Sequence, residues 1–147
     1  MDVKLAVALL VLLLTGCSST PPAPAPDEPG RTWLGMVPGD AIPFDGPGGE
    51  LVLIYVDETY SMDHVNASAL TWRLGGDDYT TDYFVADDDG TVWWYGRRGV
   101  WRAGRHGKEP RQVDIVDHRA RFGDRVIILS DDSGPVELEL RDGTYTR

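Results

Sequence analysis

The chain predicts an all-β domain, an antiparallel meander of about eight or nine short strands curled into a small barrel or sandwich. Three observations carry that expectation. No stretch after residue 31 keeps a helical period of apolar residues. Turn-forming Gly, Asp, Asn and Pro recur about every eight to twelve positions. Between them lie short runs in which Val, Leu, Ile and aromatic residues alternate with polar ones, the period of a strand.

Taken in order, residues 33–37 and 41–44 are short apolar pieces broken by Pro38-Gly39 and Pro43, which suit an edge strand and the loop leading to it. Residues 45–49 (DGPGG) form a turn. Residues 51–56 (LVLIYV) are the most apolar run of the domain and read as a strand covered on both faces. The polar stretch 57–66 reads as turns. Leu70, Trp72 and Leu74 then alternate with Thr71 and Arg73, the pattern of a strand with one wet face.

The organising stretch is 79–104, YTTDYFVADDDGTVWWYGRRGVWRAG, which holds three of the five tryptophans. Asp87-Asp88-Asp89-Gly90 supplies its first turn, because Asp bonds nearby backbone and Gly accepts the positive φ of a reversal. Alternation places Tyr79, Thr81, Tyr83 and Val85 on one face with Val92 and Trp94 beside them, and Phe84, Ala86, Trp93 and Tyr95 on the other. Both faces are rich in aromatics, so this hairpin belongs in mid-sheet. Downstream, residues 105–110 read as a loop, 113–116, 125–129 and 136–140 as strands, and 119–124 and 131–134 as separators. Asp142-Gly143 is the strongest hairpin signal in the chain.

The amino-terminal sixteen residues differ from everything that follows. Ten apolar residues, 5–14, form a helix of ~15 Å, about half a bilayer's hydrocarbon thickness, so the segment reads as a secretory signal and not a span. Leu14-Thr15-Gly16-Cys17 resembles the lipobox of bacterial lipoproteins. The resemblance implies a diacylglyceryl thioether on Cys17, cleavage before it, and a membrane-anchored chain whose domain lies outside the cytoplasm, at the cell surface or in the periplasm. Cys17 is the only cysteine, and an unpaired cysteine in an exported chain calls for such a role. Residues 18–30 (SSTPPAPAPDEPG) carry five prolines and no large apolar side chain, which is the composition of an extended tether. The expected organisation is therefore a signal over 1–16, a lipidated cysteine and tether over 17–30, and one β domain over 31–147.

A second resemblance rests on Asp82–Gly96, DYFVADDDGTVWWYG, followed by Gly99-Val100-Trp101-Arg102-Ala103-Gly104 and Gly107-Lys108-Glu109-Pro110. The pattern is similar to one in uncharacterised secreted bacterial proteins and lipoproteins, with an Asp-x-x-Gly-x-Val-Trp-Tyr turn and strand and a later Gly-x-Trp-x-Ala-Gly. It departs at Thr91, where Asn is usual, and at Arg97, where an acid is frequent. What it implies is the fold, with no chemistry attached.

Charge narrows function further. The net charge is −10, yet residues 97–125 hold nine Lys or Arg against four acids, a local +5. An acidic exported chain is a poor nucleic-acid binder. Trp94, Arg97, Arg98, Trp101 and Arg102 set cations beside rings, which suits an anionic envelope polymer or peptide, with internal charge pairing as the competing use of the same arginines. The Asp87–Asp89 triplet lacks the alternate acids and the twelfth-position Glu of a calcium loop. The three histidines fall in no zinc motif, and no cofactor or metal is implied. A non-catalytic binding or assembly module is the leading expectation, and a small hydrolase or lyase using His64 or His118 with a carboxylate is the alternative. Oligomeric state has no signal.

Overall fold

The computed structural model describes residues 33–147, so the signal, Cys17 and tether lie outside the described residues. The described chain is all-β, with thirteen strands and no helix. The first six are β1 (Ala41–Gly46), β2 (Gly49–Tyr55), β3 (Tyr60–Met62), β4 (Val65–Leu74), β5 (Asp77–Ala86) and β6 (Val92–Arg97). The remainder are β7 (Trp101–Arg102), β8 (Arg111–Gln112), β9 (Asp114–Val116), β10 (Arg119–Phe122), β11 (Arg125–Ser130), β12 (Gly134–Leu140) and β13 (Gly143–Thr146).

They form one antiparallel sheet in the order β7-β6-β5-β4-β2-β1-β13-β12-β11-β10-β9, with β3 on β4 and β8 on β6. The sheet curls into a half-barrel around a single core. Residues 111–116 tie its two ends together. Their first half pairs with β6, Trp94 opposite Arg111, and their second half pairs with β10, Ala120 opposite Ile115. Leu51, Leu53, Trp72, Phe84, Phe122, Ile127, Leu138 and Tyr145 fill the concave side. Phe84 and Phe122 meet edge to face at 4.9 Å, and Trp94 closes on Phe122 at 5.6 Å.

Several expectations need correction. The strand count is higher, because β3, β7, β8 and β10 are short pieces that sequence patterning passes over. Residues 119–122 are a strand with Ala120 and Phe122 inward and two arginines outward. Residues 57–66 contain β3 and a hairpin into β4, not turns alone. Residues 33–37 form no strand, although Leu34 and Met36 are buried. β1 is internal and not an edge, but its pairing with β13 is confined to Asp45 opposite Thr146, past Pro43, which has no N–H to offer a ladder. That thin seam is reinforced by Tyr145. Its hydroxyl accepts from Gly48 N at 3.1 Å and donates to Asp142 Oδ2 at 2.6 Å, while its ring lies where a Cβ on Gly46 would come within 2.3 Å.

The central hairpin also has a different facing. Ala86 pairs with Val92 and Phe84 with Trp94, so Phe84 shares the inner face with Val92 and Trp94, while Val85 lies opposite Trp93 on the outer face. The five-residue connection 87–91, closed by Asp87 N on Thr91 O, sets this parity. Two bulges follow. One skips Tyr79 between the Thr80 and Asp78 pairings, leaving it 60% exposed, and one skips Tyr95 on β6. Between them, consecutive Thr81 and Asp82 are both buried, a break in alternation that bulges produce.

Candidate functional site

The inward turn of Asp82 creates the most unusual feature of the core. Its carboxylate is fully buried and accepts four hydrogen bonds from side chains. Trp72 Nε1 and Arg125 Nη1 donate to Oδ2 at 3.0 and 2.6 Å, and Trp94 Nε1 and Arg97 Nε donate to Oδ1 at 3.0 and 2.8 Å. Arg97 Nη1 continues to Asp124 Oδ1 at 2.9 Å. Two carboxylates thus face two guanidinium groups, and the cluster is neutral. The Arg125 guanidinium lies 4.4 Å from the Trp72 ring centre and that of Arg97 lies 5.2 Å from Trp94, so rings complete the desolvated cage.

The two arginines respond differently. Burial pushes Arg125 below its ordinary value despite Asp82. For Arg97 burial pulls the same way, but the hydrogen bonds and charges of Asp82 and Asp124 outweigh it and hold the guanidinium above its ordinary value. The hydrogen bond from Arg97 is also the first cause holding Asp124 below the usual carboxylate range.

Beside this cluster opens a cavity of about 470 Å³. Tyr60, Ser61 and Met62 of β3 and Tyr83 of β5 form one side; Arg97, the 98–100 turn, and Trp101 and Arg102 of β7 form the other; Arg105, His106 and Lys108 of the next loop close the rim. The β6–β7 hairpin is folded tightly enough to make this wall because Gly96, at φ 148°, brings its Cα against β7. A Cβ there would lie 2.5 Å from the Trp101 carbonyl oxygen. Arg102 Nη2 donates to the Ser61 carbonyl at 2.7 Å and ties the two sides together. Tyr60 and Tyr83 meet edge to face at 5.3 Å.

Among the described residues no carboxylate lines the cavity, and none of Arg98, Arg102, Arg105 and Lys108 makes an ion pair. The other cations of the basic segment are used differently. Arg97, Arg119 and Arg125 pair with Asp82 and Asp124, Glu139, and Asp82 respectively. Arg111 caps the rings of Trp101 and Trp94 at 4.8 and 5.7 Å. Internal pairing and an unpaired basic patch therefore coexist, divided between different arginines.

Of the sequence-derived site residues, Arg97, Arg98, Trp101 and Arg102 line the cavity together. Trp94 does not; it is buried behind them with its N–H committed to Asp82. Sequence reasoning missed Tyr60 and Met62, whose strand β3 lies outside the organising stretch, did not single out Tyr83 although β5 is the hairpin partner of β6, and missed Asp82 altogether.

Neither His64 nor His118 lines this cavity. Each is the second residue of a two-residue hairpin turn with both φ angles positive, Asp63-His64 at 44° and 65° and Asp117-His118 at 50° and 61°. That is the backbone of a type I′ turn, in which Asp and His tolerate the left-handed region better than most residues. His118 Nδ1 lies 3.3 Å from Asp131, both exposed. Among the described residues no group of three or more His, Cys, Asp or Glu is placed to hold a metal.

Comparison of the chain with protein-family models, with curated proteins and with solved structures gave no match.

Proposed function

We propose that this chain is a lipid-anchored protein of the cell envelope whose β domain is a non-catalytic binding module for an anionic ligand, taken up in the basic cavity between β3, β5 and the β6–β7 hairpin. The observation that carries the reading is the lining, with four arginines and a lysine around aromatic walls and, among the described residues, no carboxylate. Cations left unpaired on a net acidic protein form a local attractive field for an anion, and the guanidinium groups supply forked donors that match its oxygens. The anchor rests on Cys17 and the apolar segment before it. Two acyl chains stabilise membrane attachment without a spanning segment, and among the described residues no helix is long and apolar enough to cross a membrane.

Two experiments test the two halves. Replacing Cys17 with Ala should release the protein from the membrane fraction; equal association would remove the anchor. For the cavity, the full chain in mild detergent should bind an anionic polymer more weakly as salt rises through about 0.15 M. The double reversal Arg98→Glu, Arg102→Glu should abolish that binding. Unchanged affinity would move the site elsewhere.

A further inference from the structure

We infer that the cavity receives a carboxylate borne on a sugar ring, with Arg97 Nη2 and Trp101 Nε1 as the two donors that take its oxygens, and hence that the ligand is an acidic glycan. This rests on the anionic-ligand reading above and narrows it. Among the described residues two buried side-chain nitrogens or oxygens lack any hydrogen-bond partner, and they are these two atoms. They belong to directly opposed residues, since Arg97 and Trp101 are Cα partners in the β6–β7 ladder, and opposed side chains stand about 5 Å apart on one face. Both residues line the basic cavity. A buried donor without an acceptor carries an uncompensated desolvation cost, so two of them on opposed residues that line one cavity mark where an acceptor belongs. Neither atom is open to solvent as the chain stands; seating an acceptor takes a local shift, and the lining has long, flexible side chains to make it.

The rest of the arrangement selects the acceptor. Arg97 has spent Nε on Asp82 and Nη1 on Asp124, so its remaining N–H groups sit in a cluster whose charges already balance. Such a place offers directed hydrogen bonds more than net positive charge. Two unpartnered nitrogens match the two oxygens of a planar monoanion, whereas a phosphate dianion brings more oxygens and more charge than they satisfy. Next to them Tyr60, Tyr83 and Met62 provide ring and apolar area for the body of the ligand, and about 470 Å³ is within the range of small-ligand sites. Arg98 and Arg102 in the wall and Arg105 and Lys108 at the rim have no acidic partner among the described residues, and further carboxylates of a chain would pass them.

The test is calorimetry on the full chain in mild detergent with three hexasaccharides, a uronic acid hexamer, its methyl ester and a neutral glucose hexamer, and with a glycerol phosphate polymer. The uronate should bind, with the ester and the neutral hexamer at least about tenfold weaker, as expected when a charged hydrogen-bond partner is lost. Trp101→Phe keeps the ring and deletes only the N–H; it should weaken uronate binding about tenfold and leave the thermal midpoint unchanged or raised. Equal binding of uronate and ester, or of the native chain and Trp101→Phe, would overturn the carboxylate subsite while leaving the basic-cavity reading to stand on Arg98→Glu. Binding of the phosphate polymer without the uronate would overturn the glycan assignment alone. Binding of none of the anions would overturn both.

Discussion

Arginine and tryptophan do opposite work in two neighbouring regions of this sheet. Around Asp82, Arg97, Arg125, Trp72 and Trp94 converge on one buried carboxylate, and both of its oxygens are fully engaged. In the cavity next door, Arg98, Arg102, Arg105 and Trp101 surround space, with the guanidinium groups unpaired by acids and the indole N–H without an acceptor. The first region is closed electrostatically and the second is open. Arg97 belongs to both, with Nε and Nη1 in the closed cluster and Nη2 unpartnered. The same residue types therefore hold the fold where acids meet them and are left available where acids are withheld.

The largest effect expected from breaking this contrast is at Asp82. Asp82→Ala leaves two guanidinium groups and two indole N–H groups buried without their acceptor, and removing one side of a buried ion pair costs about 3–5 kcal/mol. Urea melts should show a loss at the upper end of that range. A loss under about 1 kcal/mol would mean that water enters and replaces the carboxylate.

Somewhat smaller, and sharper as a comparison, is the adjacent pair on β6. Trp94→Ala removes a ring packed on Phe122 and Trp101 and should cost about 3–5 kcal/mol. Trp93→Ala loses a half-buried ring and an exposed bond to Asp87, and should cost about 1 kcal/mol. Equal costs would contradict the observed parity of the hairpin.

The smallest effect is acid titration of the junction between the regions. Asp124 has its folded pKa depressed, first by the hydrogen bond from Arg97, so its contribution is complete above the unfolded value near ~3.9 and is lost as pH falls through the lower folded value. The side chain is about half exposed, so solvent screens the pair and the contribution is modest. Asp124→Asn should flatten the fall of stability below about pH 4 and change nothing at pH 7 to 8 beyond that modest loss. A slope identical to that of the native chain would show the pair to be inert.

What the sequence made legible follows from what each element needs. The β12–β13 hairpin is announced by Asp142-Gly143, and β2 by its apolar run, because both are local signals. β10 was hidden because Arg119 and Arg121 occupy its outer face and only Ala120 and Phe122 point inward. β3 and the β9–β10 turn were hidden because Asp-His, and not Asn-Gly, carries their type I′ reversals. The basic patch was legible as a run of arginines, and its aromatic wall only in part, since Tyr83 sits in the same hairpin but Tyr60 comes from β3, two strands before it. Asp82 could not be foreseen at all. A single acid between Thr81 and Tyr83 reads as solvent-facing until two bulges turn it inward and partners 10 to 43 residues away gather on it.

The contrast between the closed cluster and the open cavity is tested most directly by following the indole N–H resonances of the five tryptophans while the uronic acid hexamer is titrated into the isotope-labelled native chain. The Trp101 resonance should move progressively and saturate with the calorimetric affinity, while those of Trp72 and Trp94, locked on Asp82, stay within the scatter of the remaining signals. Movement of Trp72 or Trp94 with Trp101 fixed, or a saturating calorimetric signal with no indole shift, would contradict the division of labour between the two regions.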